Sequence, residues 1–370
     1  MQSQIAYSKI LWDKTCNCPV KFATISNSEH FAISNDDGNF LIKLNNSAVD
    51  IQMLGYEPAN VLLENQQNDT IFLTAKGFEL DEIIIDKDEK YKIMIKTIAT
   101  EYELDTHTEQ FFLRSIIRKN KELYKIIDFS GIVEKKTLFD TNIKPMLKKN
   151  YIVQIENIRK AGIEGRNYAF GLNSFETFLT RIASIYFVPK FYKFSYKNTI
   201  DDNFSKIIVS AKDAKVTTTD GYYLVDNGNN TFNEVYLIDN NKNAEFISKR
   251  SVKYRNVFFE QKTNFKRNIK TNKYQINFSI VKLNVEVISD NKTDVFEVTQ
   301  IYNAIPTESK LRLKNNIDIS DDMFDINGKY DPVYWENHDI LPLTKEMQEF
   351  INMVNSSSKK SDFKTKTNIK

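Results

Sequence analysis

Alternating apolar and polar positions dominate the first 85 residues. The segment 19–25 alternates in this way, and the apolar triplet 40–42 follows a cluster of turn residues at 34–39. A period of two is typical of half-buried strands, and Gly38 can take the positive φ that such a turn requires. Turns recur about every ten residues, as in a small antiparallel β-sandwich. Further strands are predicted at 49–53, 71–73 and 83–85.

The hydrophobic period changes to about 3.6 after residue 85. One apolar stripe predicts a helix that leaves the sandwich, with Asp86 and Glu89 as its N-terminal capping box. A second stripe predicts a helix after Asn173, with Glu176 as capping partner and Pro189 as the end. The stripes contain Tyr91, Met94, Ile95, Ile98 and Tyr102, and then Phe175, Phe178, Leu179, Ile182 and Tyr186.

Strand periodicity returns from residue 191 to about residue 319. Tyr192, Phe194 and Tyr196 should face a core while the lysines between them stay in water. In the strand that begins at Tyr274 the apolar phase changes after Ile280, which predicts a bulge or a strand exchange there. This half is predicted to be a large antiparallel sheet with one packed face and one wet face.

These patterns predict a mainly β (α+β) fold, and a length of 370 residues favours two domains of ordinary size. A short helix should begin at Thr344, and serine and lysine dominate from Asn355 onward, as in a disordered tail. The predicted segments are a β-sandwich at 1–85, a helical connector and mixed segment at 86–190, an antiparallel β domain at 191–343, and a short helix with a disordered tail at 344–370.

Composition and charge argue against some classes of function. A formal net charge of +2 provides no global field toward nucleic acid, and the apolar runs are too short for a membrane-spanning helix. The residues after Met1 lack a secretory signal, so the protein is either cytosolic or exported from an upstream start. Cys16 and Cys18 are too close in sequence for an unstrained mutual disulfide, and we predict that they are ordinary residues.

Four motifs in the first quarter of the chain carry a resemblance. The segments 19–25, 37–40, 54–56 and 80–85 together resemble the carboxypeptidase regulatory-like domain found at the N-termini of Bacteroidota envelope proteins. The chain departs from that pattern at 16–18, where the opening strand has no glycine. The resemblance implies a transthyretin-like sandwich without catalytic residues, and a periplasmic or outer-membrane-associated protein whose export signal precedes the given start. The element order of the rest is similar to that of uncharacterised full-length proteins of that group.

The histidines do not form a recognisable metal-ligand set. A zinc carboxypeptidase site needs imidazole and carboxylate ligands at suitable spacing. The histidines are His30, His107 and His338, and the spacing of His107 and Glu109 is wrong for that ligand pair. We therefore predict no metal and no cofactor.

Other candidate motifs have simpler interpretations. Ser174 lacks the second glycine of a nucleophile elbow and fits a helix N-terminus, and 162–166 lacks the length of a phosphate loop and fits a turn. Asp36, Asp37 and Asn39 could ligate calcium, but their spacing is that of a hairpin turn.

The segment 187–197 interleaves aromatic residues with lysines. Such a pattern can bind single-stranded nucleic acid or form a carbohydrate or peptide platform, but an amphipathic strand explains it at this net charge. We predict no nucleic-acid partner.

The leading hypothesis is a non-catalytic envelope protein with a binding or structural role, whose partner is an envelope protein, a glycan or a lipid. The alternative is a periplasmic carrier that holds a lipid or lipoprotein in a curved-sheet cavity lined by strands between 192 and 296. An enzyme with an unrecognised site is the third hypothesis. No catalytic, cofactor-binding or metal residue is assigned.

Overall fold

The computed structural model describes residues 4–27, 30–53, 55–75, 89–101, 106–135, 151–163, 173–183, 190–198, 203–215, 217–249, 252–268, 273–307, 313–357 and 365–369. Two compact units are present. The first comprises Met1–Leu80 with Asp331–Met353, and the second comprises Asp81–Tyr330 with Val354–Lys370. Strands dominate both, so the predicted mainly β fold with a few helices is confirmed. None of the described helices is long and apolar enough to cross a membrane.

The first unit contains two four-stranded sheets around one core. One sheet has the order β2-β1-β5 with β8 parallel to β1, and the other has the order β4-β3-β6-β7. Leu11, Ile25, Phe40 and Ile51 are fully buried between them. The strands are β1 (Ile5–Asp13), β2 (Cys18–Pro19), β3 (Thr24–Ser26), β4 (Phe31–Ile33), β5 (Asn39–Leu44), β6 (Ala48–Gln52), β7 (Ala59–Leu62) and β8 (Thr70–Leu73).

The C-terminal part of the chain completes the first unit. It contains α3 (Pro332–Asn337) and the part of α4 (Lys345–Ser357) up to Met353, whereas Val354 and the residues after it belong to the second unit. The Ile33 amide donates to the Ile340 carbonyl at 2.8 Å, and the Asn35 side chain donates to the Leu343 carbonyl at 3.5 Å. Residues 331–343 therefore belong with the sandwich, whereas the sequence boundaries assigned them to the second β domain.

Cys16 and Cys18 form a disulfide, so the prediction that they are ordinary residues is wrong. Asn17 between them has a left-handed backbone (φ 51°), and the two Cα atoms are 5.3 Å apart. Asp13 holds this turn, because its Oδ1 accepts the Thr15 amide at 2.6 Å. The turn therefore provides the approach that the two-residue separation in sequence did not suggest.

The second unit is built on one twelve-stranded sheet. Its order is β12-β13-β14-β15-β17-β18-β19-β9-β10-β11-β20, with β16 against one end of β17. Its helices are α1 (Glu89–Glu101) and α2 (Phe175–Ala183). The strands are β9 (His107–Lys119), β10 (Glu122–Lys135), β11 (Tyr151–Ile163), β12 (Tyr192–Asn198), β13 (Phe204–Ala211), β14 (Thr219–Asp226), β15 (Thr231–Asp239), β16 (Ile247–Lys249), β17 (Val252–Asn268), β18 (Lys273–Ser289), β19 (Lys292–Pro306) and β20 (Thr365–Thr367).

The predicted connector at 86–190 contributes three long strands to this sheet. In β9 the side chains from Phe111 to Ile116 are all buried, on both faces of the sheet. Such a stretch has no period of two, so the pattern did not identify it as a strand. The predicted disordered tail also contains ordered elements, because α4 extends to Ser357 and β20 pairs with β11.

The sheet has two distinct faces. We call the face on which α1 and α2 pack the covered face, and the other the opposite face. The predicted irregularity in β18 occurs at Asn277, where the register with β17 shifts, three residues before Ile280. From Phe278 to Val281 every side chain is buried, so both faces are occupied there, and this explains the apolar phase change.

Candidate functional site

The covered face presents a continuous apolar and aromatic surface across the sheet. Side chains from β9 to β15 and from β17 to β19 join one core with the two helices. Phe175 of α2 contacts the rings of Phe111 and Phe129, with centroids 5.8 and 4.9 Å apart. Phe178 contacts Tyr302 at 5.5 Å. The helix α2 is thus anchored by aromatic contacts to β9, β10 and β19.

The helix α1 covers the β12 side of the same face. Its Tyr91 ring stacks on Tyr196 of β12, with centroids 5.4 Å apart and an interplanar angle of 9°. Ile95 and Ile98 are buried below it, while Ile93 on the outer side is 62% exposed. The described members of the predicted stripe therefore face the sheet, and Tyr102 lies outside the described residues.

A buried ionic cluster lies on the covered face where β9 begins. Lys135 Nζ and the Tyr302 hydroxyl both donate to Glu109 Oε1. Glu109 is fully buried, and Lys135 and Tyr302 are almost so. The Lys135 ammonium also lies 5.0 Å from the centre of the Tyr302 ring, a cation–π distance. Burial, and then the charge of Glu109, raise the pKa of Tyr302 well above its ordinary value, so this phenol remains a donor.

The other carboxylate oxygen of Glu109, Oε2, has different surroundings from Oε1. Glu109 Oε2 is buried and has no hydrogen-bond partner in the described part of the chain. His107 Nε2 lies 3.8 Å from it, which is too far for a hydrogen bond. The His107 side chain is 11% exposed, so this end of the strand approaches the solvent.

A row of polar side chains crosses the middle of the covered face. Ser115 Oγ donates to Asn173 Oδ1 at 2.7 Å, and the Gln300 amide approaches the same oxygen at 3.4 Å. Two strands away, Gln261 Nε2 donates to Thr263 at 3.3 Å. The Oε1 atoms of Gln261 and Gln300 are buried and have no partner among the residues that the structure describes.

A second ionic cluster lies on the opposite face. Asp128 Oδ1 accepts Arg114 Nε at 2.8 Å, and Asp128 Oδ2 accepts Arg159 Nε at 3.0 Å. Asp128 and Arg114 are essentially inaccessible to solvent. Burial acts to raise the pKa of Asp128, but the two guanidinium groups outweigh it and hold the pKa below its ordinary value. The aspartate therefore stays ionised and ties β9, β10 and β11 together.

The three histidines have different surroundings. His30 and His338 belong to the first unit and His107 to the second. His30 Nε2 lies 3.3 Å from the Gln4 amide, and the His338 ring contacts Trp335 at 5.3 Å. Within the described ranges, no three histidine, cysteine or carboxylate side chains form a metal-binding group.

The candidate calcium loop is a turn between β4 and β5, which belong to different sheets, so the predicted hairpin is wrong although the turn is present. Asn35 Oδ1 accepts the Asp37 and Asn39 amides, each at 3.0 Å. Asp36 forms an ion pair with Lys21 at 3.5 Å. Gly38 has φ +77°, which confirms the positive-φ position predicted for it.

The remaining motifs have structural roles where the structure describes them. Ser174 caps α2, since its Oγ accepts the Thr177 amide at 3.2 Å, one residue later than the predicted cap at Asn173. The described part of 162–166 is the end of β11 rather than a turn. In β12, Tyr192 and Phe194 are buried and Lys193 is exposed, as the amphipathic interpretation requires. Residues 164–166, 187–189, Asp86, Leu54 and 80–85 lie outside the described residues.

Sequence reasoning missed the cluster of Glu109, Lys135 and Tyr302. Its members come from three strands that are adjacent only in the folded sheet. The sequence contained one indication of this cluster. Residues i and i+2 of a strand share a face, so His107 and Glu109 would be expected side by side once β9 is recognised as a strand.

No protein-family model matches the chain, and no curated protein matches it. Three solved structures are similar to part of it. A DUF1329 family protein from Desulfovibrio piger has 8% identity over 63% of this chain and 96% of its own, with a TM-score of 0.28. A LolA superfamily protein from Nitrosomonas europaea has 9% identity over 59% and 93%, with a TM-score of 0.24. The Pseudomonas aeruginosa MucA/MucB complex has 8% identity over 60% and 100%, with a TM-score of 0.21. Similarities of this size carry no argument about function.

Proposed function

We propose that the chain is a non-catalytic binding protein of the bacterial envelope, and that its second unit carries the acyl chain of a lipid or lipoprotein. The observation that carries this proposal is the covered face, where aromatic and aliphatic side chains form one surface across a wide sheet. The envelope setting rests on the resemblance of the first 85 residues. Apolar sites of this kind, with few polar groups, are typical of small-molecule binding.

The helix α1 is the element that a ligand would displace. Its described contacts with the core come through three buried side chains, Tyr91, Ile95 and Ile98, and through the partly buried Met94. In contrast, α2 buries five side chains, including two phenylalanines that contact three strands. We therefore infer that α1 opens before α2.

The free energy gained by burying an acyl chain exceeds the free energy lost by displacing α1. Exposing the three buried side chains of α1 costs roughly 5–9 kcal/mol, at about 1.5–3 kcal/mol for each. An acyl chain of about 16 carbons recovers roughly 12 kcal/mol on burial, at about 0.8 kcal/mol per methylene group. An acyl chain can thus replace the side chains of α1 on the covered face.

The test compares two isoleucines of the same helix. Ile98→Ala removes a buried contact between α1 and the sheet, whereas Ile93→Ala changes an exposed residue. Because Ile98→Ala weakens the closed state by about 2–4 kcal/mol, the apparent affinity for an apolar probe should rise at least about tenfold. N-phenylnaphthylamine fluorescence measures this affinity on the full chain. Equal affinities of wild type, Ile98→Ala and Ile93→Ala would exclude α1 as the cover, and no uptake by any of them would exclude the carrier function.

A further inference from the structure

The covered face contains buried hydrogen-bond acceptors that a purely hydrocarbon ligand would leave unused. Glu109 Oε2, Gln261 Oε1 and Gln300 Oε1 are buried without a hydrogen-bond partner among the described residues, and His107 Nε2 is 3.8 Å from Glu109 Oε2. The two glutamine amide oxygens can only accept hydrogen bonds, and Glu109 Oε2 can only accept one when the carboxylate is ionised. A buried acceptor without a donor is unfavourable, so such atoms usually have a partner in the working state of a protein.

Glu109 is the strongest of the three acceptors. Its Oε1 accepts hydrogen bonds from Lys135 and Tyr302, which fix the carboxylate, while Oε2 has no hydrogen bond in the described part of the chain. The ammonium of Lys135 balances its charge, so the cluster as a whole is neutral. It lies at the start of β9, beside the partly exposed His107, where the polar end of a chain-like ligand could reach the solvent.

We propose that Glu109 Oε2 accepts a hydrogen bond from the head group of the carried ligand. The ligand class is therefore an acyl chain with a hydroxyl, amide or amine donor at its head, and not a free carboxylate or a simple ester. A ligand carboxylate would face the Glu109 carboxylate, and an ester offers no donor. This assignment rests on the proposed carrier function and adds the chemistry of the head group to it.

Three dodecanoyl ligands of equal chain length test the assignment on the full-length protein. Monododecanoylglycerol has hydroxyl donors, methyl dodecanoate has none, and dodecanoate at pH 8 is an anion. Each displaces N-phenylnaphthylamine in competition. We expect monododecanoylglycerol to bind about tenfold or more tightly than the other two, which is the effect of one hydrogen bond to a charged group.

A triple variant removes the acceptor without leaving a charge unpaired. Glu109→Leu, Lys135→Met and Tyr302→Phe together replace the whole cluster and keep the net charge, because a lone buried Lys135 could prevent folding. The preference should disappear, while methyl dodecanoate binds within about threefold of wild type.

The opposite face offers a matched control. Glu260 there receives the Tyr236 hydroxyl at 3.1 Å and the Lys282 ammonium at 2.8 Å. The variant Glu260→Leu, Lys282→Met and Tyr236→Phe should retain the full preference.

The outcomes separate the two proposals. Equal binding of the three ligands to wild type, as expected if Oε2 is satisfied by an ordered water only, overturns the head-group assignment and leaves the carrier function in place. A preference that survives in the Glu109 triple variant also overturns the assignment. Failure of all three ligands to bind overturns both.

Discussion

Replacing Asp128 by asparagine should remove the charge that holds three strands of the large sheet together. The Asp128 carboxylate accepts Arg114 through Nε at 2.8 Å and Nη2 at 3.1 Å, and it accepts both Nε and Nη2 of Arg159. Asp128→Asn keeps the shape of the side chain but places a neutral amide between two guanidinium groups. Breaking a buried ion pair in this way costs about 3–5 kcal/mol, whereas an exposed pair is worth about 1 kcal/mol or less.

Urea unfolding followed by far-ultraviolet circular dichroism measures the loss, because most strands belong to the second unit. Glu286→Gln is the control, since its partner Arg255 lies 2.7 Å away in a pair that is about one quarter exposed. The expected result is a large shift of the midpoint for Asp128→Asn and a small one for Glu286→Gln. Equal shifts would refute the reasoning that burial makes the Asp128 cluster different.

The same residue predicts the acid limb of stability. The folded pKa of Asp128 lies below its ordinary value, so its contribution is fully present above about pH 4 and is lost as the pH falls through the folded pKa. Wild type should therefore lose stability below pH 4 more steeply than Asp128→Asn. Parallel pH profiles of the two proteins would contradict this.

Three further predictions concern both units. Gly38→Val should destabilise the first unit by at least about 1 kcal/mol, because a Cβ would lie 2.5 Å from a backbone oxygen at φ +77°. Both tryptophans are in that unit, so their fluorescence reports its unfolding, and an unchanged unfolding midpoint would disprove the prediction. Burial and then the charge of Glu260 raise the pKa of Tyr236 to about 12. The free energy of unfolding should therefore decrease between about pH 10 and 12, and this decrease should be smaller in Tyr236→Phe. Identical alkaline profiles of the two proteins would argue against this. Replacing Cys16 and Cys18 by serine should cost about 1–2 kcal/mol for so short a loop, and two reactive thiols in the denatured, unreduced wild type would contradict the disulfide.

The sequence was most informative where one face of an element is wet. The turn at Gly38, the stripe on α1 and the alternation in β12 were all predicted, because each has solvent on one side. The predictions differed from the structure for strands that are buried on both faces of the sheet. Strands β9 and β10 each contain a run of buried residues without alternation, and a buried arginine in β9 resembles a surface position when only the sequence is seen.

Long-range pairing was the other limit. Glu109, Lys135 and Tyr302 meet because β19 lies beside β9, and no local pattern encodes that neighbour. The pairing of Cys16 with Cys18 depends on the left-handed Asn17 between them, a backbone state that spacing rules do not include.

The return of the C-terminal segment to the first unit has a consequence for biosynthesis. Asn35 and Leu343, which share a hydrogen bond, are separated by 308 residues. At about 5–20 residues per second, a ribosome needs roughly 15–60 s to synthesise that stretch. During this interval the edge of β4 lacks the Ile340 backbone that pairs with it. The sandwich thus waits for a residue that is synthesised 308 positions later, and until then its nascent edge is open to chaperones or to a second nascent chain.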